Sequence, residues 1–155
     1  MEILSKQQFI MELDDVEALF TEGIIAEEDL VYRKPHFGEI WICEVPVLVV
    51  DQTEVTFVKM KRPILVVDDG EQHFVKKDLK NYYGLKITSQ EDVYQRKRIV
   101  NYRAVGLHKP SFIRLEIPMK LEKAQFCYYV GMYGLEKTQK ILEEIRKRIK
   151  KQMPN

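Results

Sequence analysis

The chain predicts a mostly β fold with α additions: a small, mostly antiparallel barrel or sandwich with a helix at each end. Three observations carry this reading. From Gly38 onward, apolar runs of strand length recur between polar turns: Ile40 to Val50, Val55 to Met60, Ile64 to Val67, Tyr82 to Ile87 and Phe112 to Ile117. Before them, Phe9, Leu13, Val16 and Phe20 follow at helical spacing, and after them Leu135, Thr138, Leu142, Ile145 and Ile149 do the same. A chain of 155 residues is also long enough to bury a core as one domain.

The N-terminal helix carries its own start signal, Ser5-Lys6-Gln7-Gln8, in which the serine and glutamine side chains can satisfy each other's backbone donors. It is expected to end near Gly23. Glu27 to Lys34 reads as a polar connector, and Pro35 marks the passage to the strands. The expected division is an acidic helical extension over residues 1–34 and a β domain with its C-terminal helix over 35–155. Asp68-Asp69-Gly70-Glu71 is the clearest turn, because Asp-Gly tolerates positive φ. In the last segment Glu136 opens the helix and Arg146 to Lys151 close it, charges that complement the helix dipole.

Apolar residues make up 45% of the chain, and no apolar run approaches the roughly 18 residues that span a bilayer, so no membrane association is expected. Met1 to Lys6 lacks the basic-then-apolar pattern of a secretory signal, and the expected location is the cytoplasm. Cys43 and Cys127 have no Cys or His at ligand spacing and read as ordinary buried thiols. No glycine-rich phosphate loop and no carboxylate cluster for magnesium is visible, so neither cofactor nor metal is expected. The net charge of +1 conceals an asymmetry. Residues 1–34 hold nine acids and three bases, a net of −6, whereas residues 96–123 hold eight bases and two acids, a net of +6. A local basic field of this kind draws in polyanions whatever the average.

Four segments stand in a distinctive order: Gly38-Glu39-Ile40-Trp41, Arg62-Pro63-Ile64-Leu65-Val66-Val67, Leu85-Lys86-Ile87-Thr88-Ser89-Gln90 and Gly106-Leu107-His108-Lys109-Pro110-Ser111-Phe112-Ile113-Arg114-Leu115. Their order and wording resemble the PemK/MazF family of toxin endoribonucleases over roughly Phe37 to Gly134. The resemblance implies an SH3-like barrel and metal-independent cleavage of single-stranded RNA to 2′,3′-cyclic phosphate and 5′-hydroxyl ends. It also implies a homodimer and an acidic antitoxin partner.

Such cleavage sends the ribose 2′-oxygen in line onto phosphorus, so the site must take a proton, stabilise added charge on the phosphoryl oxygens and let the 5′-oxygen leave. Arg62 suits the second task, since a guanidinium is always charged and grips two oxygens at once. Pro63 biases it toward an extended conformation at the mouth of an apolar strand. Thr88 and Ser89 offer hydroxyls at the end of another strand. By the resemblance Arg62 and Thr88 are the catalytic pair. Arg114 and Glu116 alternate along Phe112 to Pro118 and so share a face, and resemblance to one branch of the family, which carries Asp where this chain has Glu, implies a charge stabiliser and a base at these positions. Lys86, Ser89, Lys109, Ser111 and Arg98 are the expected RNA contacts. Without the resemblance, Arg62 reads as a strand-end arginine paired with an acid such as Glu39 or Asp68.

Asp51 to Lys61 is strand-like where the family has a glycine-rich loop, and the acidic extension lies outside the minimal family domain. That extension either packs the Phe9, Leu13, Val16 and Phe20 face, the plainer reading, or covers the basic groove. Two other functions fit the pattern: a non-catalytic RNA-binding SH3-like module, and a gyrase-poison-type toxin that acts on a protein.

Overall fold

The computed structural model describes residues 2–20, 34–69, 81–90 and 95–152, with only the backbone for 14–20 and 152. β1 (Glu2–Ser5) runs straight into α1 (Lys6–Phe20). Then follow β2 (Glu39–Val50), β3 (Val55–Asp68), β4 (Tyr82–Thr88), β5 (Arg96–Arg98), β6 (Phe112–Arg114), β7 (Met119–Leu121), β8 (Phe126–Met132) and α2 (Leu135–Gln152). Short 3-10 turns at Tyr102–Val105 and Lys123–Gln125 join β5 to β6 and β7 to β8. The expected helix end at Gly23, the connector from Glu27 and the Gly70-Glu71 part of the turn lie outside the described residues. No described helix is long and apolar enough to cross a membrane.

The strands form one eight-stranded sheet in the order β1-β2-β3-β4-β6-β5, with β7 also on β4 and β8 also on β2. All pairs are antiparallel except β1 with β2. The expected closed SH3-like barrel is therefore corrected to an open mixed sheet, since among the described residues no pair joins β5 to β1. One edge of β2 is shared, by β8 along Glu39–Cys43 and by β1 along Val47–Val50, so β1 occupies an edge where closure would occur. Pro46 falls in the gap between those two partners, a position suited to a residue without an N–H.

The runs Val55 to Met60 and Ile64 to Val67 are one strand passing through Lys61, Arg62 and Pro63. Arg62 thus lies in the body of β3 opposite Cys43, not at a strand mouth. Pro63 is tolerated because pairing with β4 begins only at Ile64. Alternation divides the buried residues between two faces. One face packs Ile40, Leu65, Val67, Leu85, Ile113 and Leu115 with Ile141, Leu142 and Ile145 of α2. Leu135 and Ile149, expected on that helix face, are exposed at its two ends. The other face carries an aromatic-rich cluster around Trp41, Ile64, Val66 and Leu121, and a separate cluster of Leu4, Val47, Val49 and Met60 under Phe9 and Leu13 of α1. The start signal of α1 forms as expected: Gln8 N–H donates to Ser5 Oγ at 3.1 Å and Ser5 N–H to Gln8 Oε1 at 2.9 Å.

A candidate anion site on one face of the sheet

Cross-strand partners share a face, and so do residues two apart on a strand. Ile64 pairs with Lys86, so Arg62, Ile64 and Lys86 face the same way, and Thr88 with them. Thr88 pairs with Phe112 and Arg98 pairs with Phe112, while Arg114 pairs with Arg96. The register therefore gathers Arg62, Lys86, Arg114, Arg96 and Arg98 from the adjacent strands β3, β4, β6 and β5 onto the face that also carries Thr88. Two clefts open there. One of about 550 Å³ is lined by Glu2, Lys86, Arg114, Glu116 and Lys120 among others, and one of about 490 Å³ by Arg96, Arg98, Pro110 and Phe112.

Arg62 is the most enclosed of these cations. It sits between the two apolar clusters of this face and is only 4% exposed. Its partners are not Glu39 or Asp68 but two glutamates of the N-terminal extension: Nη1 donates to Glu2 and Nη2 to Glu12. Lys86 Nζ donates to the same Glu2 oxygen. Glu39 instead accepts from Trp41 Nε1 at 3.1 Å and from His36 N–H at 2.6 Å. Burial pushes the Glu2 carboxyl up, but Arg62 and Lys86 together outweigh it and hold the group below the ordinary carboxylate value. For Glu12, burial raises the pKa, Arg62 pulls it down and the Glu2 charge adds to the rise, leaving it above the ordinary value. The Nε atoms of Arg62 and Arg114 are buried without an acceptor.

The other expected residues are distributed as follows. Arg114 Nη2 lies 3.3 Å from Glu116, although Glu116 sits in the bend after β6 and not on the strand. Thr88 Oγ1 accepts the Gln90 N–H at 3.1 Å, which shapes the turn out of β4, and Ser89 is half-buried in that turn. Arg98 is exposed on β5 and Lys109 half-buried in the loop before β6. Ser111 is fully buried and its hydroxyl donates to the Lys109 carbonyl at 2.8 Å, so it holds that loop and does not line the face. Trp41 is buried against Phe126 and Tyr129 as a core residue. Cys43 and Cys127 are free thiols, buried and half-buried, each with its pKa raised by burial.

Sequence reasoning missed Glu2 and Glu12 as partners of Arg62. The available signals were alternation, which puts Glu2 with buried Leu4, and helical spacing, which puts Glu12 beside Phe9.

No family model and no curated protein matches the chain. Among solved structures it is similar to a chain in the crystal structure of MazE-MazF (form II) from Deinococcus radiodurans, with a TM-score of 0.49 and 14% identity over 76% of this chain and 93% of that one.

Proposed function

We propose that this protein is a metal-independent endoribonuclease toxin that cleaves single-stranded RNA. The observation that supports the reading is the single face on which Arg62, Lys86, Thr88 and Arg114 converge from three neighbouring strands, with Glu116 against Arg114. The sequence resemblance over Phe37 to Gly134 assigns Arg62, Thr88, Arg114 and Glu116 to RNA cleavage, and Lys86 is an expected RNA contact. In this reading the 2′-hydroxyl oxygen bonds to phosphorus, the bond from phosphorus to the 5′-oxygen breaks, the 2′ proton passes to Glu116 and solvent water gives the leaving 5′-oxygen its proton. Arg62, Lys86 and Arg114 stabilise the charge that builds on the phosphoryl oxygens, where preorganised donors contribute most. The Thr88 hydroxyl positions the scissile phosphate. Arg98 and Lys109 hold the flanking backbone, an acidic antitoxin regulates the toxin, and a homodimer is its working form.

Incubation of a long single-stranded RNA in excess chelator tests this directly. Discrete fragments with cyclic-phosphate ends, lost in Arg62→Ala, are the expected result. Intact RNA from folded protein, with Glu2 and Glu12 replaced by Gln as well as without replacement, would overturn it. The burial of Arg62 favours a second reading, a binding module without turnover. That reading gives RNA binding that Arg62→Ala weakens and no fragments.

A further inference from the structure

The N-terminal segment both packs and covers. Packing is carried by Leu4, Phe9 and Leu13 on Val47, Val49 and Met60, and needs no acid. The cover is carried by Glu2 and Glu12. Carboxylates from two separate elements meet the two terminal nitrogens of one guanidinium, the arrangement in which arginine grips two oxygens of one phosphate. Glu2 also takes Lys86, the next cation of the face. With the acids seated, the Arg62 side chain is 5% exposed and the Lys86 side chain 11%, so a phosphate has no approach to Arg62. Setting two partly buried glutamates on one buried arginine is weak evidence of a role in stability alone, because apolar residues of similar size serve as well or better.

We propose that residues 2–13 are an autoinhibitory cover in which Glu2 and Glu12 hold Arg62 and Lys86 in place of RNA phosphate, and that the site opens when this segment lifts. The proposal rests on the ribonuclease reading above and adds its regulation. A tethered carboxylate competes at a high effective concentration, so the cover lowers RNA affinity and turnover by the fraction of time the site stands open. The segment is suited to lifting. Among the described residues β1, four residues long, pairs with β2 alone, and Ile3, Ile10 and Met11 are already exposed.

The test uses the full chain with Glu2→Gln and Glu12→Gln together, which leaves the apolar packing in place. The probe is a fluorescein-labelled single-stranded RNA of mixed sequence, read for affinity by anisotropy and for cleavage on gels. The expected result is a gain of about tenfold or more in both, abolished by adding Arg62→Ala. Parent and variant that bind and cleave equally, with Arg62 still required, would overturn the cover and leave the ribonuclease standing. Absence of Arg62-dependent RNA binding in either protein would remove both. If the double variant melts below the assay temperature, Glu12→Gln alone decides: a smaller gain of the same sign supports the cover, and no gain overturns it.

Discussion

Glu2 and Glu12 share one arginine yet titrate in opposite senses, and this difference can be measured. The folded state lowers the Glu2 pKa below 4.5, so its ionised form adds stability above that value, and the contribution is lost as pH falls through the folded pKa. Glu12 is raised, so its contribution is present below 4.5 and lost as pH rises through its folded value. At pH 7, Glu2→Gln should lower the melting temperature more than Glu12→Gln, because Glu2 holds both Arg62 and Lys86 while Glu12 holds Arg62 alone. Melting curves of the two single variants check this, and equal losses in both would contradict it. The same residues mark how far the sequence could be read. Arg62, Lys86, Thr88 and Arg114 were grouped by the resemblance, because alternation fixes only which face of its own strand each residue occupies and the pairing of β3, β4 and β6 had to be seen. The partners of Arg62 lie 60 and 50 residues away in sequence, and only the register of β1 and the docking of α1 bring them there.

At the scale of elements, the N-terminal pair β1–α1 and the loop before β6 are the parts that place the site. Leu4 is 5% exposed under α1, and Leu4→Ala should cost about 2–5 kcal/mol in denaturant unfolding while detaching the segment that bears both glutamates. Gly106 ends the first 3-10 turn with φ of 88°, and an added Cβ would stand 2.3 Å from the Val130 carbonyl oxygen. Gly106→Ala should therefore cost at least about 1–3 kcal/mol in backbone strain, and a neutral change would show that the turn can move off β8. Helices and their caps were legible because each depends on neighbours within a few residues, as the Ser5–Gln8 box shows. Strand continuity was less so: Lys61-Arg62-Pro63 reads as a break, but Pro63 costs nothing where β4 has not yet begun to pair. Closure was not legible at all, because it depends on which strand takes the free edge of β2.

For the whole molecule, a net charge of +1 coexists with a face that gathers several arginines, and RNA binding should report the face and not the average. For single strands each phosphate contact adds about 0.7 to the slope of log affinity against log salt, so Arg98→Ala should reduce that slope by about 0.7 and weaken binding of all sequences alike. An unchanged slope would place the RNA elsewhere. The central claim is that this face promotes attack by the 2′-hydroxyl. Its most direct test compares cleavage of one single-stranded RNA with that of its fully 2′-O-methylated counterpart, using the parent protein and the Glu2→Gln, Glu12→Gln variant. The account predicts fragments with cyclic-phosphate ends from the first RNA and none from the second. Equal cleavage of both RNAs, or of neither, would contradict it.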